Sequence, residues 1–310
     1  MEIIDENNIY TNSEYKAVAL GNFDGIHLGH QALLNNTVKL AKNNHIASAV
    51  FTFRQHTMEI INPEKMPFLL ITLKKKIKML SQFDLDYCIL FNFTKEYSKM
   101  QPEDFIKNVL VDKLKMKIAI VGENYRFGYN ASGDVKFLKE ASIKYGYNVN
   151  VIKHIKINDK TVSSSYIRNL IKLGEIEEAN KCLGHYFSLE GYVTEGEKIG
   201  RELGFPTANI KIDENIIIPN SGVYLTRIKI TDNYFIGVTN VGFNPTFKNR
   251  DFSIETFILN FNGNIYGKFI EIEFIKKIRD EIKFKNIEDL IQQINNDVVY
   301  AQNYKNILQE

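Results

Sequence analysis

Near residue 184 the hydrophobic pattern of this 310-residue chain changes period, and that change constrains the architecture more than any single motif does. Upstream, short apolar runs alternate with amphipathic stretches. Ala17-Val18-Ala19-Leu20, Ile46 to Phe53, Tyr87 to Phe91, Ala119 to Gly122 and Val149 to Ile152 read as strands. Pro102-Glu103-Asp104-Phe105 opens one intervening helix, whose inner face is Phe105, Val109, Leu110 and Leu114. Such alternation dictates a parallel sheet covered on both faces, with ligands at the carboxyl ends of its strands.

Downstream, Tyr224 to Ile230, Tyr234 to Val238, Ile254 to Leu259 and Phe269 to Phe274 are β-branched and aromatic runs between glycine turns. They predict a small antiparallel barrel, and Asn262-Gly263 between Phe261 and Ile265 predicts a tight hairpin within it. Ile287, Leu290, Ile291, Ile294, Val298 and Val299 recur at helical spacing, so a terminal helix is expected to pack one face on the barrel. The expected domains are residues 1–183 and 184–310, each within the usual domain size.

A formal charge of +2 gives no electrostatic case for nucleic acid or an anionic membrane as partner. The densest basic run, Lys74-Lys75-Lys76, sits in a helical pattern with Ile77 and Leu80 inward and reads as a solvated face. Cys88 and Cys182 stand far apart, without metal-ligand spacing or a disulfide framework. That cysteine usage fits a reducing cytoplasm, and the acidic start, Met1 to Glu6, with no apolar run near ~18 residues, leads to the expectation of a soluble protein.

Between the first strand and the next helix runs Gly21-Asn22-Phe23-Asp24-Gly25-Ile26-His27-Leu28-Gly29-His30. Glycines there let the backbone approach a ligand closely, and the helix end offers free N–H groups to phosphate. His27 and His30 add imidazoles that can carry mobile positive charge. Further on, Ser163-Ser164-Ser165-Tyr166-Ile167-Arg168 starts a second helix, with hydroxyls in capping positions and a guanidinium one turn in, an arrangement suited to polyphosphate.

The first segment resembles the His-x-Gly-His motif of the nucleotidyltransferase superfamily. Both stretches, in this order, resemble the flavin adenylyltransferase domain of bacterial bifunctional riboflavin kinase/FAD synthetases. The resemblance implies a Rossmann-like α/β domain that binds ATP through Gly21, Phe23, Asp24, Gly25, His27, His30, Ser164, Ser165 and Arg168. His27 and His30 would be its catalytic donors, and Asn124 and Arg126 of Gly122 to Gly128 would line its cleft. Two positions depart from the family pattern: Phe53-Arg54-Gln55-His56-Thr57 replaces Phe-Asp-Pro-His-Pro, and Tyr166 stands where an arginine is usual.

In the second half, Gly200-Arg201-Glu202-Leu203-Gly204-Phe205-Pro206-Thr207-Ala208-Asn209 resembles the riboflavin kinase motif. A glycine–proline turn accounts for Gly204 and Pro206 but not for Thr207-Ala208-Asn209. The resemblance implies ATP binding by Gly200, Arg201, Gly204, Phe205, Pro206, Thr207 and Asn209, with Thr207 and Asn209 on Mg2+. It makes Glu255 the catalytic base and puts Asn240, Thr246 and Arg279 beside the flavin. If Ile254, Thr256 and Ile258 face inward, alternation turns Glu255 and Phe257 outward into a cleft.

The expected activity is phosphorylation of riboflavin to FMN with ATP, then adenylylation of FMN to FAD with release of pyrophosphate. The flavin is substrate and product, so no resident redox cofactor is required. Riboflavin, FMN and ATP are the expected partners. Arg54 and Tyr166 keep a rival open, a riboflavin kinase whose adenylyltransferase domain uses another acceptor. A flavin- or nucleotide-sensing regulator without turnover is the non-enzymatic alternative.

Overall fold

The computed structural model describes residues 1–5, 14–195, 203–212, 215–243 and 252–307. It divides into two compact units, Met1–Ser164 and Ser165–Glu310. In the first, β1 (Glu2–Asp5), β2 (Lys16–Leu20), β3 (Ala47–Phe53), β4 (Tyr87–Phe91), β5 (Met116–Gly122) and β6 (Asn148–Ile152) form one sheet in the order β1-β4-β3-β2-β5-β6. All its pairings are parallel. The connecting helices are α1 (Leu28–Asn44), α2 (Thr57–Ile61), α3 (Leu73–Leu80), α4 (Lys95–Ser98), α5 (Pro102–Asp104) and α6 (Val135–Tyr145). The helix opened by Pro102 becomes a π-helix over Phe105–Lys113, with Phe105, Val109, Leu110 and Leu114 buried as expected.

Both faces of β2 are buried. Val18 and Leu20 join a core with Phe51, Phe91 and Phe105, while Ala17 and Ala19 join another with Phe23, Leu34 and Val50. That double burial is why Ala17 to Leu20 is continuously apolar. The chain leaves β2 towards β3 on one side and returns to β5 on the other, so a topological switch point lies between the carboxyl ends of β2 and β5. The sequence gives no sign of β1, an acidic edge strand in which Ile4 is the buried residue.

A two-stranded ribbon of β7 (Lys156–Ile157) and β8 (Lys160–Thr161) precedes α7 (Ser164–Leu173) and α8 (Ile176–Leu183). From Ser165 onward these helices belong to the second compact unit, although the sequence pattern groups them with the upstream alternation. Asn180 shows why. Its Nδ2 donates to Phe274 O at 2.8 Å and its Oδ1 accepts from Phe187 N at 2.7 Å, both on barrel strands.

The barrel comprises β9 (Phe187–Thr194), β10 (Thr207–Lys211), β11 (Gly222–Ile230), β12 (Asn233–Phe243), β13 (Phe252–Ile258) and β14 (Phe269–Arg279), closed in the order β10-β13-β12-β11-β14-β9. Its interior holds Thr226, Thr239 and Thr256, linked hydroxyl to hydroxyl at 2.7 and 2.9 Å. The expected hairpin at Asn262-Gly263 does not form: β13 pairs with β10 and β12, and β14 pairs with β11 and β9. Closing the barrel separates those two strands, so the segment is a longer connection held by Ile265 in the core and Phe261 against Phe235. The tight turn falls instead at Thr231-Asp232, between β11 and β12, with Thr231 at φ 53°.

The terminal helix α9 (Ile287–Ile307) packs on β12, and of the expected face Leu290, Ile291, Ile294 and Val298 are half-buried. Ile287 and Val299 are exposed, and the buried seam centres on Asp297 and Ala301. A carboxylate occupies the interior because Arg279 neutralises it there.

Candidate functional site

The segment after β2 coils tightly at the switch point. Phe23 and Ile26 adopt positive φ, 52° and 39°, and both side chains are fully buried, which holds these backbone conformations in place. Gly25, at φ 82°, adopts a conformation that costs a glycine little. His27 then caps α1, its Nδ1 accepting from His30 N. The two imidazoles stack with centroids 3.7 Å apart and planes 17° apart, and the Phe23 ring lies 5.1 Å from His30. A Cβ on Gly29 would sit 3.1 Å from His27 Cε1, so glycine leaves the room this stack needs.

Burial, then the charges of His27 and Lys76, hold His30 well below the ordinary histidine range. It is neutral near pH 7. The sequence expectation of mobile positive charge is therefore corrected at His30: desolvation leaves an imidazole that acts through its N–H. His30 Nδ1 is also shielded from solvent and lacks a hydrogen-bond partner among the described residues, as a group awaiting a ligand would.

Asp24, placed by sequence among the ATP-binding residues, directs its carboxylate inward to the N–H groups of Leu70 (3.0 Å) and Ile71 (3.4 Å). Ser164 is brought to the same segment, its Oγ donating to Asp24 O at 2.9 Å. Ser165 is exposed and Arg168 is buried one turn along α7. Asn124 and Arg126 are exposed beyond β5, and Arg126 pairs with Asp134 at 3.5 Å. In the departing segment, Arg54 lies 3.8 Å from Asp5 of β1, and His56 caps α2.

The basic run departs from its expected solvated face. Lys74 is exposed, but Lys75 is buried and Lys76 is half-buried. Lys76 Nζ donates to Phe53 O (2.9 Å), Asn22 O (3.3 Å) and Thr52 Oγ1 (3.4 Å). Sequence missed this lysine because a run of three lysines resembles ordinary surface charge; only the fold of the preceding segment turns Lys76 towards β3.

In the second unit, register assembles the other site. Glu255 lies opposite Asn209 of β10 on one side and Asn240 of β12 on the other. Side chains at paired positions share a face, so Asn209, Glu255 and Asn240 form a polar row across three strands. Thr207, two residues from Asn209, joins that face and its Oγ1 donates to Glu255 Oε2 at 3.5 Å. Ile254, Thr256 and Ile258 are buried on the opposite face, as alternation predicts. Phe205 packs on Phe257 at 5.7 Å between centroids, placing the Phe205-Pro206 approach beside the row. Gly204 adopts φ 87°. Gly200, Arg201 and Thr246 lie outside the described residues.

Arg279 is held by the terminal helix. Its Nε and Nη2 donate to the buried Asp297 carboxylate at 3.0 and 2.8 Å, and Gln293 Nε2 adds a contact at 3.0 Å. That bidentate pair fixes α9 to the end of β14.

The FAD synthetase family model matches residues 9–166, and the riboflavin kinase model matches residues 183–305. A bifunctional riboflavin kinase/FMN adenylyltransferase of Buchnera aphidicola subsp. Schizaphis graminum is 38% identical over 94% of this chain and 95% of its own length. The chain belongs to the bifunctional riboflavin kinase/FMN adenylyltransferase family. A member from Listeria monocytogenes is 36% identical over 91% of this chain and 90% of its own length. The Escherichia coli K12 member is 30% identical over 93% and 92%.

A solved Streptococcus pneumoniae chain, described as a macrolide-efflux protein, aligns at TM-score 0.89 and 26% identity, covering 98% of this chain and 99% of that one. Among the described residues no helix is long and apolar enough to cross a membrane. The first unit thus presents a helix-capping His27 stacked on His30 at a switch point, and the second a threonine–asparagine–glutamate face on a closed barrel.

Proposed function

We propose that this chain phosphorylates riboflavin to FMN on the barrel and adenylylates FMN to FAD at the switch point of the parallel sheet. The observation that carries the first step is Glu255, set between Asn209 and Asn240 and within 3.5 Å of Thr207. Glu255 takes the proton of the terminal ribityl hydroxyl as that oxygen attacks the γ-phosphorus of ATP, and ADP leaves. The Thr207 hydroxyl and the Asn209 side-chain oxygen are hard donors that suit Mg2+, which supplies charge neutralisation on the phosphates when bound. Their position beside the carboxylate supports that assignment.

In the second step an FMN phosphate oxygen attacks the α-phosphorus of ATP and pyrophosphate leaves. The α1 N-terminus and the imidazole N–H groups of His27 and His30 face the charge that develops on the phosphate oxygens. Ser164 is assigned to the leaving pyrophosphate, a role supported by its bond to Asp24 O, and the same assignment for Ser165 and Arg168 rests on the sequence motif alone. Cys88 and Cys182 are both free and buried, which supports a reducing cytoplasm.

Purified protein given riboflavin and MgATP is expected to yield FMN first and FAD after it, separated by chromatography. Absence of FMN would sink the kinase assignment; FMN without FAD would favour the rival in which the first domain serves another acceptor.

The functional domains are proposed as residues 1–183 and 184–310, with α7 and α8 bracing the barrel. A fragment of residues 165–310 is expected to make FMN and no FAD. A fragment of residues 184–310 loses the Asn180 bonds and the buried Ile176, Ala179, Cys182 and Leu183. It should therefore melt at least ~5 °C lower, since ~1 kcal/mol moves the midpoint of a small domain by that much. Equal melting of the two fragments would show that the helices do not brace the barrel.

A further inference from the structure

The segment Leu70 to Lys76 is fastened to the loop after β2 at both ends. At one end the Asp24 carboxylate accepts from Leu70 N and Ile71 N. At the other, Lys76 Nζ reaches Asn22 O, where the Thr52 hydroxyl also donates, at 3.1 Å. Lys76 then continues to Thr52 Oγ1 and to Phe53 O, the last carbonyl of β3. Three N–H groups thus meet three oxygens, and none is left for a substrate. The loop so held leads within five residues to His27, which caps α1 and stacks on His30.

We propose that Lys76 is a positioning residue for adenylyl transfer: its ammonium ties Asn22 O to Phe53 O and thereby holds the His27–His30 pair against the carboxyl end of β3. This rests on the reading that the first unit adenylylates FMN. The cross-link joins the loop carrying the donors to the neighbouring strand end, and ligands in a sheet of this kind bind beyond those ends. A displacement of about 1 Å at such a site can cost ~10²-fold in rate.

The bond set depends on charge. Burial lowers Lys76 to about 8, against the opposing pull of Asp24 and Cys88. Below that value the ammonium makes its three bonds; above it the amine has two N–H groups, and one bond is lost. The groups around it that titrate do so elsewhere: His30 lies well below 6.5 and the Cys88 thiol is pushed up to about 11. The Arg54 guanidinium also faces Cys88 and opposes the rise of its thiol.

The test compares the full-length wild type with K76M and K76R, measuring FAD formation from supplied FMN and FMN formation from riboflavin on each preparation. K76M is expected to lower kcat for adenylyl transfer ~30- to 100-fold. KM for ATP should change less than ~3-fold, because no phosphate contact is removed, and FMN formation should stay at the wild-type rate. K76R, with a permanent charge and several donors, should recover to within ~10-fold of wild type. The wild-type kcat/KM for adenylyl transfer should fall with one ionisation above about pH 8, and that alkaline limb should be missing in K76R.

Wild-type FAD formation by K76M, or an alkaline limb retained in K76R, would overturn the proposal. If K76M loses the melting transition of the first unit, the wild-type and K76R pH profiles decide by the same criterion. A wild-type protein that makes no FAD would instead overturn the adenylyl-transfer reading itself.

Discussion

Replacing Glu255 by glutamine is expected to stop FMN formation while FAD synthesis from supplied FMN continues. Glutamine keeps the volume of the side chain and can still accept from Thr207 Oγ1, which lies 3.5 Å from the carboxylate. Asn209 and Asn240 keep their paired positions, since the register of β10, β13 and β12 is set by backbone bonds. The barrel core beneath, including the Thr226–Thr239–Thr256 ladder, is untouched. What disappears is the capacity to take a proton from the attacking hydroxyl, and loss of a positioned base typically costs ~10²–10⁴-fold. Initial rates of FMN appearance, with unfolding followed by circular dichroism, make the measurement. Kinase turnover within ~3-fold of wild type would remove Glu255 from the role of base.

His30→Ala is expected to lower FAD formation at least ~10²-fold, the usual effect of deleting one donor to transition-state charge, with FMN formation unchanged. The structure adds a second reason. His30 stacks on His27 at 3.7 Å and contacts Phe23, so alanine removes a donor and also a wall that orients the remaining imidazole. His27 keeps its cap bond, which goes to the backbone N–H of residue 30 and survives the substitution. Kinase activity on the same chain serves as the control for intact protein. A parallel fall in both activities without unfolding would contradict two separate sites.

Much of this was legible because period is local. Ala17 to Leu20 is apolar throughout and becomes the doubly buried β2; Ile254, Thr256 and Ile258 alternate with Glu255 and face the barrel interior. The helix that follows the first motif was equally readable, since helical period depends on residues a few positions apart. Three features were not. Asn262-Gly263 carries a hairpin signal, but which strands pair depends on barrel closure. Asp297 sits among apolar residues of α9, and its burial is possible because Arg279 reaches it from β14. Lys76 is one of three consecutive lysines and becomes internal through the Asp24 clamp on Leu70 and Ile71.

The sequence by itself determined the two architectures, their order, the family, and the two loops proposed to meet phosphate, because hydrophobic period and short motifs are properties of neighbouring residues. The tertiary structure alone decided which charges are real at the sites. Burial makes His30 neutral, and long-range pairing draws Asp24 and Arg279 into the framework while bringing Lys76 beneath the histidine loop. A side chain's charge and partners depend on the solvent it loses and the distant oxygens it gains, and neither is written in the residues beside it.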